Sequence, residues 1–179
     1  MNFHKLKLSS SNNNSKHKKP SNDNIIKAPS PTPDKNVTLD INIESPPCTL
    51  YGTTINSTGC LISGILAINV LNDALITNIN MSFVQNVKYN QPHCFNNCQD
   101  CKSKSLILFN WAFLENNKNI INKGLYSYPF SKLISGKLPQ STKINNSIIN
   151  YLLTVDLEYT LKGKTHKVNL TLPIQITHA

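Results

Sequence analysis

A short segment near the middle of the chain, HCFNNCQDC (93–101), holds the residue types best suited to chemistry. Three thiols and one imidazole are the ligands that can complete a tetrahedral zinc site, and C-x2-C spacing places two sulfurs on one turn. The candidate ligands are His93, Cys94, Cys98 and Cys101. All four share one loop, whereas a structural zinc site usually joins two distant ligand pairs. A polar loop with reduced thiols is therefore the alternative, and we expect no bound metal.

Two further cysteines, Cys48 and Cys60, lie in strand-like segments, where cysteine usually serves as a small core residue. A catalytic cysteine needs a neighbouring base, but the histidines fall mostly in the tail, in segment 93–101 or at the chain end. The carboxylates of the domain are scattered, and no phosphate-binding glycine loop is present. A redox thiol in segment 93–101 is the enzymatic alternative. We expect a protein that is not an enzyme and has no cofactor.

The chain is basic, with 18 Lys+Arg against 9 Asp+Glu and a net charge of +9, and every basic residue is lysine. Bidentate recognition of guanine or phosphate depends on the planar guanidinium group of arginine, which lysine cannot reproduce. The composition therefore predicts no nucleic-acid partner.

Residues 1–36 are rich in Ser, Asn, Lys and Pro and contain no long apolar run. Such a segment cannot bury enough apolar surface to offset the entropy of ordering, so we predict a disordered basic tail before a single domain, 37–179. The tail is either a solvated linker or a peripheral contact with an anionic membrane. No segment has the pattern of a secretory signal peptide, which predicts a cytoplasmic protein.

From residue 37 onward, apolar residues recur at every second position, as in strands with one buried face. The alternating sets are Val37, Leu39, Ile41 and Ile43; Ile79, Met81, Phe83, Val87 and Tyr89; and Ile107, Phe109, Trp111 and Phe113. Two more sets, from Tyr151 to Tyr159 and from Val168 to Ile176, flank a Lys-Gly-Lys turn and predict a long β-hairpin. Residues 130–135 are a candidate for a short helical turn. The pattern as a whole predicts an all-β sandwich with antiparallel pairing.

The segment SPPCTLY (45–51) has the composition of a proline-rich ligand. A WW-domain ligand, PPxY, needs tyrosine two places after the second proline, because the polyproline II helix has three residues per turn. Tyr51 lies four places after Pro47, so the spacing excludes this function. Pro46 and Pro47 fix φ and donate no ladder hydrogen bond, which predicts a bend or sheet edge before a strand that begins at Cys48.

Three stretches together resemble the fungal arrestin-related trafficking adaptors, the α-arrestins: INIESPPCTLYG (41–52), STGCLISGILAINV (57–70) and YSYPFSKLISGKLPQST (126–142). The motif residues are Glu44, Ser45, Pro46, Pro47, Tyr51, Gly52, Tyr128, Pro129, Phe130 and Ser131. The resemblance extends over about residues 37–177 and implies an immunoglobulin-like β-sandwich, the arrestin N-terminal lobe. It also implies that segment 93–101 connects two strands.

The resemblance implies a non-enzymatic adaptor that binds the cytosolic tails of membrane transporters and brings a HECT-type ubiquitin ligase to them. The cargo is then ubiquitinated and endocytosed, with the adaptor recruited from the cytoplasm to the plasma membrane or endosomes. This sequence departs from the family in having one lobe and no PPxY motif. We therefore expect a fragment or truncated product, or a chain whose partner supplies the rest. The alternative function is a structural scaffold, stabilised by zinc at segment 93–101.

Overall fold

The structure is a computed structural model that describes residues 35–53, 55–89, 102–114, 122–144 and 147–179. These residues form ten strands: β1 (Val37–Ile43), β2 (Cys48–Leu50), β3 (Cys60–Val70), β4 (Leu75–Tyr89), β5 (Ser103–Ala112), β6 (Gly124–Ile134), β7 (Thr142–Ile144), β8 (Ser147–Leu161), β9 (Lys164–Ile174) and β10 (Ile176–His178). Within these ranges, no helix is long and apolar enough to cross a membrane. The predicted tail lies outside the described residues up to position 34.

The strands form two antiparallel sheets and a small parallel pair. The smaller sheet has the order β1-β3-β6, and the larger sheet has the order β5-β4-β8. Two strands share the remaining edge of β8: β7 pairs with residues 147–149 and β9 with residues 151–161. The third sheet is the parallel pair of β2 and β10. The prediction of an all-β sandwich with antiparallel pairing is confirmed.

Side-chain alternation places the core between the two sheets. In β8 the side chains at every second position, from Tyr151 to Tyr159, are buried, as the sequence pattern predicts. Strand β3 alternates in the same way, with Ile62, Leu66 and Ile68 fully buried. Each such aliphatic side chain stabilises the fold by about 1.5–3 kcal/mol relative to an exposed position. The predicted hairpin of β8 and β9 is confirmed, and its turn has positive φ at Lys162 and Gly163.

Two shifts of register change which side chains face the core. In β4, the pairing with β8 passes from Ile76 to Asn78, so Ile76 and Ile79 are both buried although they are three residues apart. In β5, Phe109 pairs with Phe83 but Ile107 pairs with the next residue, Val84. A bulge of this kind inverts the alternation beyond it. The prediction that Ile107 faces the core is therefore wrong, since its side chain is 57% exposed.

Residues 130–135 do not form the predicted helical turn, because β6 continues to Ile134. Phe130 and Ile134 of this strand are both buried. Antiparallel pairing with β3 satisfies the backbone here, so the tertiary partner overrides the weak helical pattern.

The predicted hairpin also ends earlier than Ile176. Ile176 forms two hydrogen bonds with Ser141: Ile176 N donates to Ser141 Oγ (2.9 Å), and Ser141 N donates to Ile176 O (2.8 Å). The chain then pairs in parallel with β2, where Ile176 lies opposite Cys48. The last strand therefore leaves the hairpin and closes one end of the sandwich.

At the start of the domain, Asn36 belongs to the folded structure, although the sequence places it in the tail. Its carbonyl accepts a hydrogen bond from Leu71 N (2.7 Å), and its side-chain oxygen accepts one from Asn72 Nδ2 (2.9 Å). The hydrogen bonding of the described domain therefore includes Asn36, one residue before β1.

Candidate interaction surfaces

The cysteine-rich segment lies outside the described residues, so no position is given for the predicted zinc candidates His93, Cys94, Cys98 and Cys101. The strands on either side of it, β4 and β5, pair with each other. Among the described ranges, no group of three or more His, Cys, Asp or Glu side chains is arranged to hold a metal ion. For segment 93–101, the expectation of no bound metal and the zinc-binding alternative both stay predictions.

The first half of the motif, residues 44–52, is hydrogen-bonded to β3 directly after β1 ends. Ser63 of β3 is the anchor, because its carbonyl accepts hydrogen bonds from Glu44 N (2.9 Å) and Ser45 N (3.2 Å). The Ser45 hydroxyl in turn accepts a hydrogen bond from Ser63 N (3.2 Å). Across the sheet, Ser131 of the second half of the motif lies opposite the same Ser63. The two halves of the motif thus converge on one residue of β3.

Phe130 packs over a glycine at the same point of the sheet. Gly64 lies opposite Phe130, and a Cβ on Gly64 would overlap the carbonyl oxygen of Asn42 and stand 3.0 Å from Phe130 Cζ. On its other side, the Phe130 ring meets Trp111 of β5 edge to face, with centroids 5.4 Å apart. Trp111 Nε1 also donates to the Ser131 carbonyl at 3.4 Å. Phe130 therefore joins an edge strand of one sheet to an edge strand of the other.

Two more motif residues lie on β6. Tyr128 packs against Phe113, with ring centroids 5.3 Å apart, and burial together with the charge of Tyr126 raises the pKa of Tyr128. Pro129 is exposed on this edge strand, where its missing N–H is tolerated. In the described residues, YPFS thus works as framework that closes the sandwich along β5 and β6.

The segment SPPCTLY places Pro46, Pro47 and Tyr51 at the surface, on either side of the buried Cys48 and Leu50. Pro46 and Pro47 are exposed and directly precede β2, which begins at Cys48 as predicted. Tyr51 is 72% exposed after the strand ends, and Gly52 has a φ of +90°, the left-handed region that glycine adopts without strain. These residues shape the backbone and lie outside any described cavity.

Cys48 is a core residue, as predicted. Burial raises the pKa of its thiol to about 12, with a hydrogen bond and charge interaction from Cys60 adding to the effect. Because the thiolate is the reactive form, Cys48 stays an inert thiol at neutral pH. Cys60 is partly buried and packs against the same core.

The outer face of the larger sheet carries an apolar row that the sequence pattern did not reveal. Ile107, Val84, Leu152 and Pro173 lie opposite one another across β5, β4, β8 and β9. Ile107 and Pro173 are exposed, and Val84 and Leu152 are partly buried. Neighbouring strands lie about 4.8 Å apart, so the row crosses roughly 14 Å of the face. We call these four residues the apolar row.

The apolar row leads into a groove of about 750 Å³, where β7 and β9 meet on the edge of β8. Residues 141–143 line one side of this β7/β9 groove, and residues 171 and 173–175 line the other. Its floor includes Ile148, Asn150 and Leu152 of β8, and it extends to Asn86 and Lys88 of β4. Proteins bind small ligands and short segments in cavities of about 300–1,000 Å³. Sequence reasoning missed this site because its parts are distant along the chain.

A buried tyrosine holds the wall of the groove in place. The Tyr151 hydroxyl donates to the carbonyl of Pro139 (2.7 Å) and accepts a hydrogen bond from Gln85 Nε2 (3.0 Å). Burial raises the pKa of Tyr151, while the bond from Gln85 opposes that shift. The hydrogen bond from Tyr151 to the Pro139 carbonyl holds the segment before β7. The hydrogen bonds between Ser141 and Ile176 hold the residue directly before β7. The position of Lys143 in β7 follows from these contacts.

The outer face is electrostatically polarised along the strands. The described lining of the groove contains two lysines, Lys88 and Lys143, and no carboxylate. The carboxylates lie toward the hairpin turn, where Glu158 pairs with Lys167 (2.6 Å) and Asp156 accepts from Asn169 Nδ2. Lysines and carboxylates are thus mixed at the hairpin end, where Lys162 and Lys164 are also exposed, whereas the described lining of the groove carries lysines without a carboxylate.

Comparison with solved structures supports the fold class. The sporulation control protein Spo0M from Bacillus subtilis superimposes with a TM-score of 0.55 at 12% sequence identity, over 79% of this chain and 49% of that chain. At this identity the likeness concerns the fold, so the chain is an antiparallel β-sandwich of the same general architecture. The likeness therefore places this chain in the class of antiparallel β-sandwich domains.

Sequence comparison gives the family. The family described as LDB19, arrestin N-terminal-like, matches residues 79–179, and the chain belongs to it. Protein LDB19 of Eremothecium gossypii is 28% identical over 156 residues, which cover 80% of this chain and 23% of that protein. Protein LDB19 of Saccharomyces cerevisiae is 24% identical over 186 residues, covering 60% of this chain and 23% of that protein. The chain therefore spans about a quarter of the length of these relatives, and the predicted arrestin relationship is confirmed.

Proposed function

We propose that the chain is a non-enzymatic adaptor domain that binds the cytosolic tails of membrane transporters and links them to a HECT-type ubiquitin ligase. The observation that carries the proposal is the match of residues 79–179 to the LDB19 arrestin N-terminal-like family. The matched residues contain the whole of β8 and β9, and every described lining residue of the β7/β9 groove. The groove and the region that matches the arrestin-related family thus lie in the same part of the chain.

The same proposal places the protein in the cytoplasm, with recruitment to the plasma membrane or endosomes when cargo is engaged. The lysine-rich residues 1–36 would add a peripheral contact with anionic lipid, because juxtamembrane lysines are attracted to a negative surface. In this proposal the ligase contact is indirect or runs through a region outside this sequence, because residues 1–179 contain no PPxY motif.

The test is retention of the purified chain on immobilised cytosolic tails of plasma-membrane transporters. We expect retention at low ionic strength and partial loss at high ionic strength, because exposed charges separated by more than about 10 Å are screened at 0.1 M salt. Tails with their order of residues scrambled are the matched control. Failure to retain the chain on any tail, even at low salt, would contradict the proposal for this domain.

Ubiquitination provides the second part of the test. The chain is combined with a full-length arrestin-related partner, a HECT-type ligase and a transporter in membrane vesicles. We expect more ubiquitin on the transporter with the chain than with a variant that is not retained on its tail. Equal ubiquitination with both proteins would mean that tail binding does not serve ligase recruitment.

A further inference from the structure

We propose that the β7/β9 groove, together with the apolar row, binds an acidic segment of a partner protein that carries an aliphatic side chain between its carboxylates. The inference rests on the proposed function only for the identity of the partner, a transporter tail. The groove itself is defined by residues of this chain alone. The specific claim is that binding needs both the two groove lysines and the apolar row.

Charge complementarity is the first argument. Lys88 and Lys143 are exposed at the groove, come from two different strands, and share a lining without a carboxylate among the described residues. No described salt bridge neutralises either lysine, whereas Lys167 at the opposite end of the face pairs with Glu158. An acidic ligand in the groove therefore meets two lysines and no described carboxylate, whereas at the hairpin end it would also meet Asp156 and Glu158.

The neutral lining gives the second argument. The lining includes the side-chain amides of Asn86 and Asn150 and the hydroxyl of Thr142, while the Ser141 hydroxyl already accepts from Ile176 N and the Asn86 amide oxygen from Ser105 Oγ. Amides and hydroxyls can donate to and accept from a peptide backbone, so they suit a polypeptide ligand that exposes both kinds of group. Lysine is a point charge without the planar fork of arginine, which fits a carboxylate without requiring bidentate geometry.

The apolar row gives the third argument and selects the source of the ligand. Leu152 and Pro173 belong both to the row and to the lining, so the apolar surface is continuous with the basic groove. Ile107 at the far end is 57% exposed. A polyanion without apolar groups would leave this surface in water, whereas a peptide with a leucine or similar side chain can cover it. The combination therefore favours an acidic protein segment over nucleic acid or a lipid headgroup.

The experiment is a titration of the nitrogen-15-labelled chain with a synthetic peptide, Glu-Glu-Leu-Glu-Glu within a Gly-Ser spacer, followed by NMR. We expect saturable shifts of the side-chain amide signals of Asn86 and Asn150, which line the groove. Two matched peptides replace either every Glu by Gln or the Leu by Ser. Both should bind more weakly, since each lacks one of the two required features.

Variants of the chain separate site-specific binding from net charge. The double variant Lys88→Ala/Lys143→Ala should weaken peptide binding roughly tenfold at low salt. Its matched control is Lys132→Ala/Lys137→Ala, which removes the same charge from exposed positions on β6 and the turn after it. Equal weakening by both double variants would overturn the proposal, because it would make binding a property of overall charge.

The apolar row is tested in the same way. Ile107→Ser should weaken binding of the Leu-containing peptide about threefold and leave the Ser-containing peptide unchanged. Leu133→Ser, at a 63% exposed position on the other sheet, is the control. Equal affinity of the wild-type chain for the Leu and Ser peptides would overturn the role of the row. Thermal unfolding of each variant verifies that the fold is retained.

Two further outcomes distinguish this inference from the proposed function. If transporter tails retain Lys88→Ala/Lys143→Ala as well as the wild-type chain, the groove inference fails and the adaptor function stands. If the peptide binds at the groove while no tail retains the chain, the adaptor function fails and the groove remains an acidic-peptide site. If the double variant affects binding only to phosphatidylserine vesicles and not to the peptide, the ligand is a lipid and the inference fails.

Discussion

Replacing Phe130 by alanine tests whether the second half of the family motif is framework. The Phe130 side chain is 5% exposed, packs over Gly64, and meets the Trp111 ring edge to face. Truncating a buried phenylalanine to alanine costs about 3–5 kcal/mol, which includes about 0.5–1.5 kcal/mol from an aromatic pair. Small domains have a total unfolding free energy of about 5–15 kcal/mol, so the variant loses a large share of it.

The assay is equilibrium unfolding in urea followed by far-UV circular dichroism. With an m value of about 2 kcal/mol/M, a loss of about 4 kcal/mol lowers the midpoint by about 2 M. Circular dichroism is the appropriate signal, because the single tryptophan of the chain is itself a contact of Phe130 and its fluorescence changes with the mutation.

Leu133→Ala is the matched control on the same strand. Leu133 is 63% exposed, so its truncation should change the unfolding free energy by no more than about 0.5 kcal/mol. A midpoint for Phe130→Ala as high as that of this control would refute the framework interpretation. The motif residue would then have to act through a ligand or partner instead of through packing.

Three other predictions concern the core and the wall of the groove. Gly64→Ala should cost about 1–3 kcal/mol in urea unfolding, because the new Cβ overlaps the carbonyl of Asn42; an unchanged midpoint would contradict the close packing of β1 on β3. Tyr151→Phe removes the hydrogen bond to Pro139 and should cost about 1 kcal/mol, with faster hydrogen exchange in β7; unaltered exchange there would show that the hydroxyl does not hold the wall. For Cys48, burial raises the pKa of the folded thiol from its ordinary value of 9.0 to about 12, so the thiol ionises first in the unfolded chain. Its contribution to stability is therefore full below pH 9 and is lost as the pH rises toward 12. Urea unfolding at a series of alkaline pH values should show a smaller decline for Cys48→Ala than for the wild-type chain, and parallel declines would contradict the assignment.

The strands of this protein are predictable because their alternation is local. In β8, for instance, each apolar residue from Tyr151 to Tyr159 is separated from the next by one residue, and the pleat alone sends them to one face. The turn after β8 contains Gly163, which can adopt positive φ without strain, so the hairpin register is also local information. Likewise, Pro47 directly before Cys48 marked the start of β2.

Other elements depend on partners that no local pattern contains. Ile107 belongs to an apolar alternation with Phe109, yet the bulge opposite Val84 turns it outward. Ile176 continues the alternation of β9, yet hydrogen bonds with Ser141 redirect it to pair with Cys48. In both places the deciding interaction comes from a residue more than twenty positions away in sequence.

Local patterns in the sequence are enough to predict the all-β character, the long hairpin, the core role of Cys48, and the resemblance to arrestin-related proteins. Those properties follow from period-two alternation, from proline and glycine positions, and from motif residues that neighbour one another along the chain. The convergence of the motif on Ser63 and the groove shared by Lys88 and Lys143 appear only in the folded domain. Strand register, bulges and the crossing of β10 to β2 bring together residues that are far apart in sequence, and the stabilising free energy of these contacts is gained only when the sheets assemble.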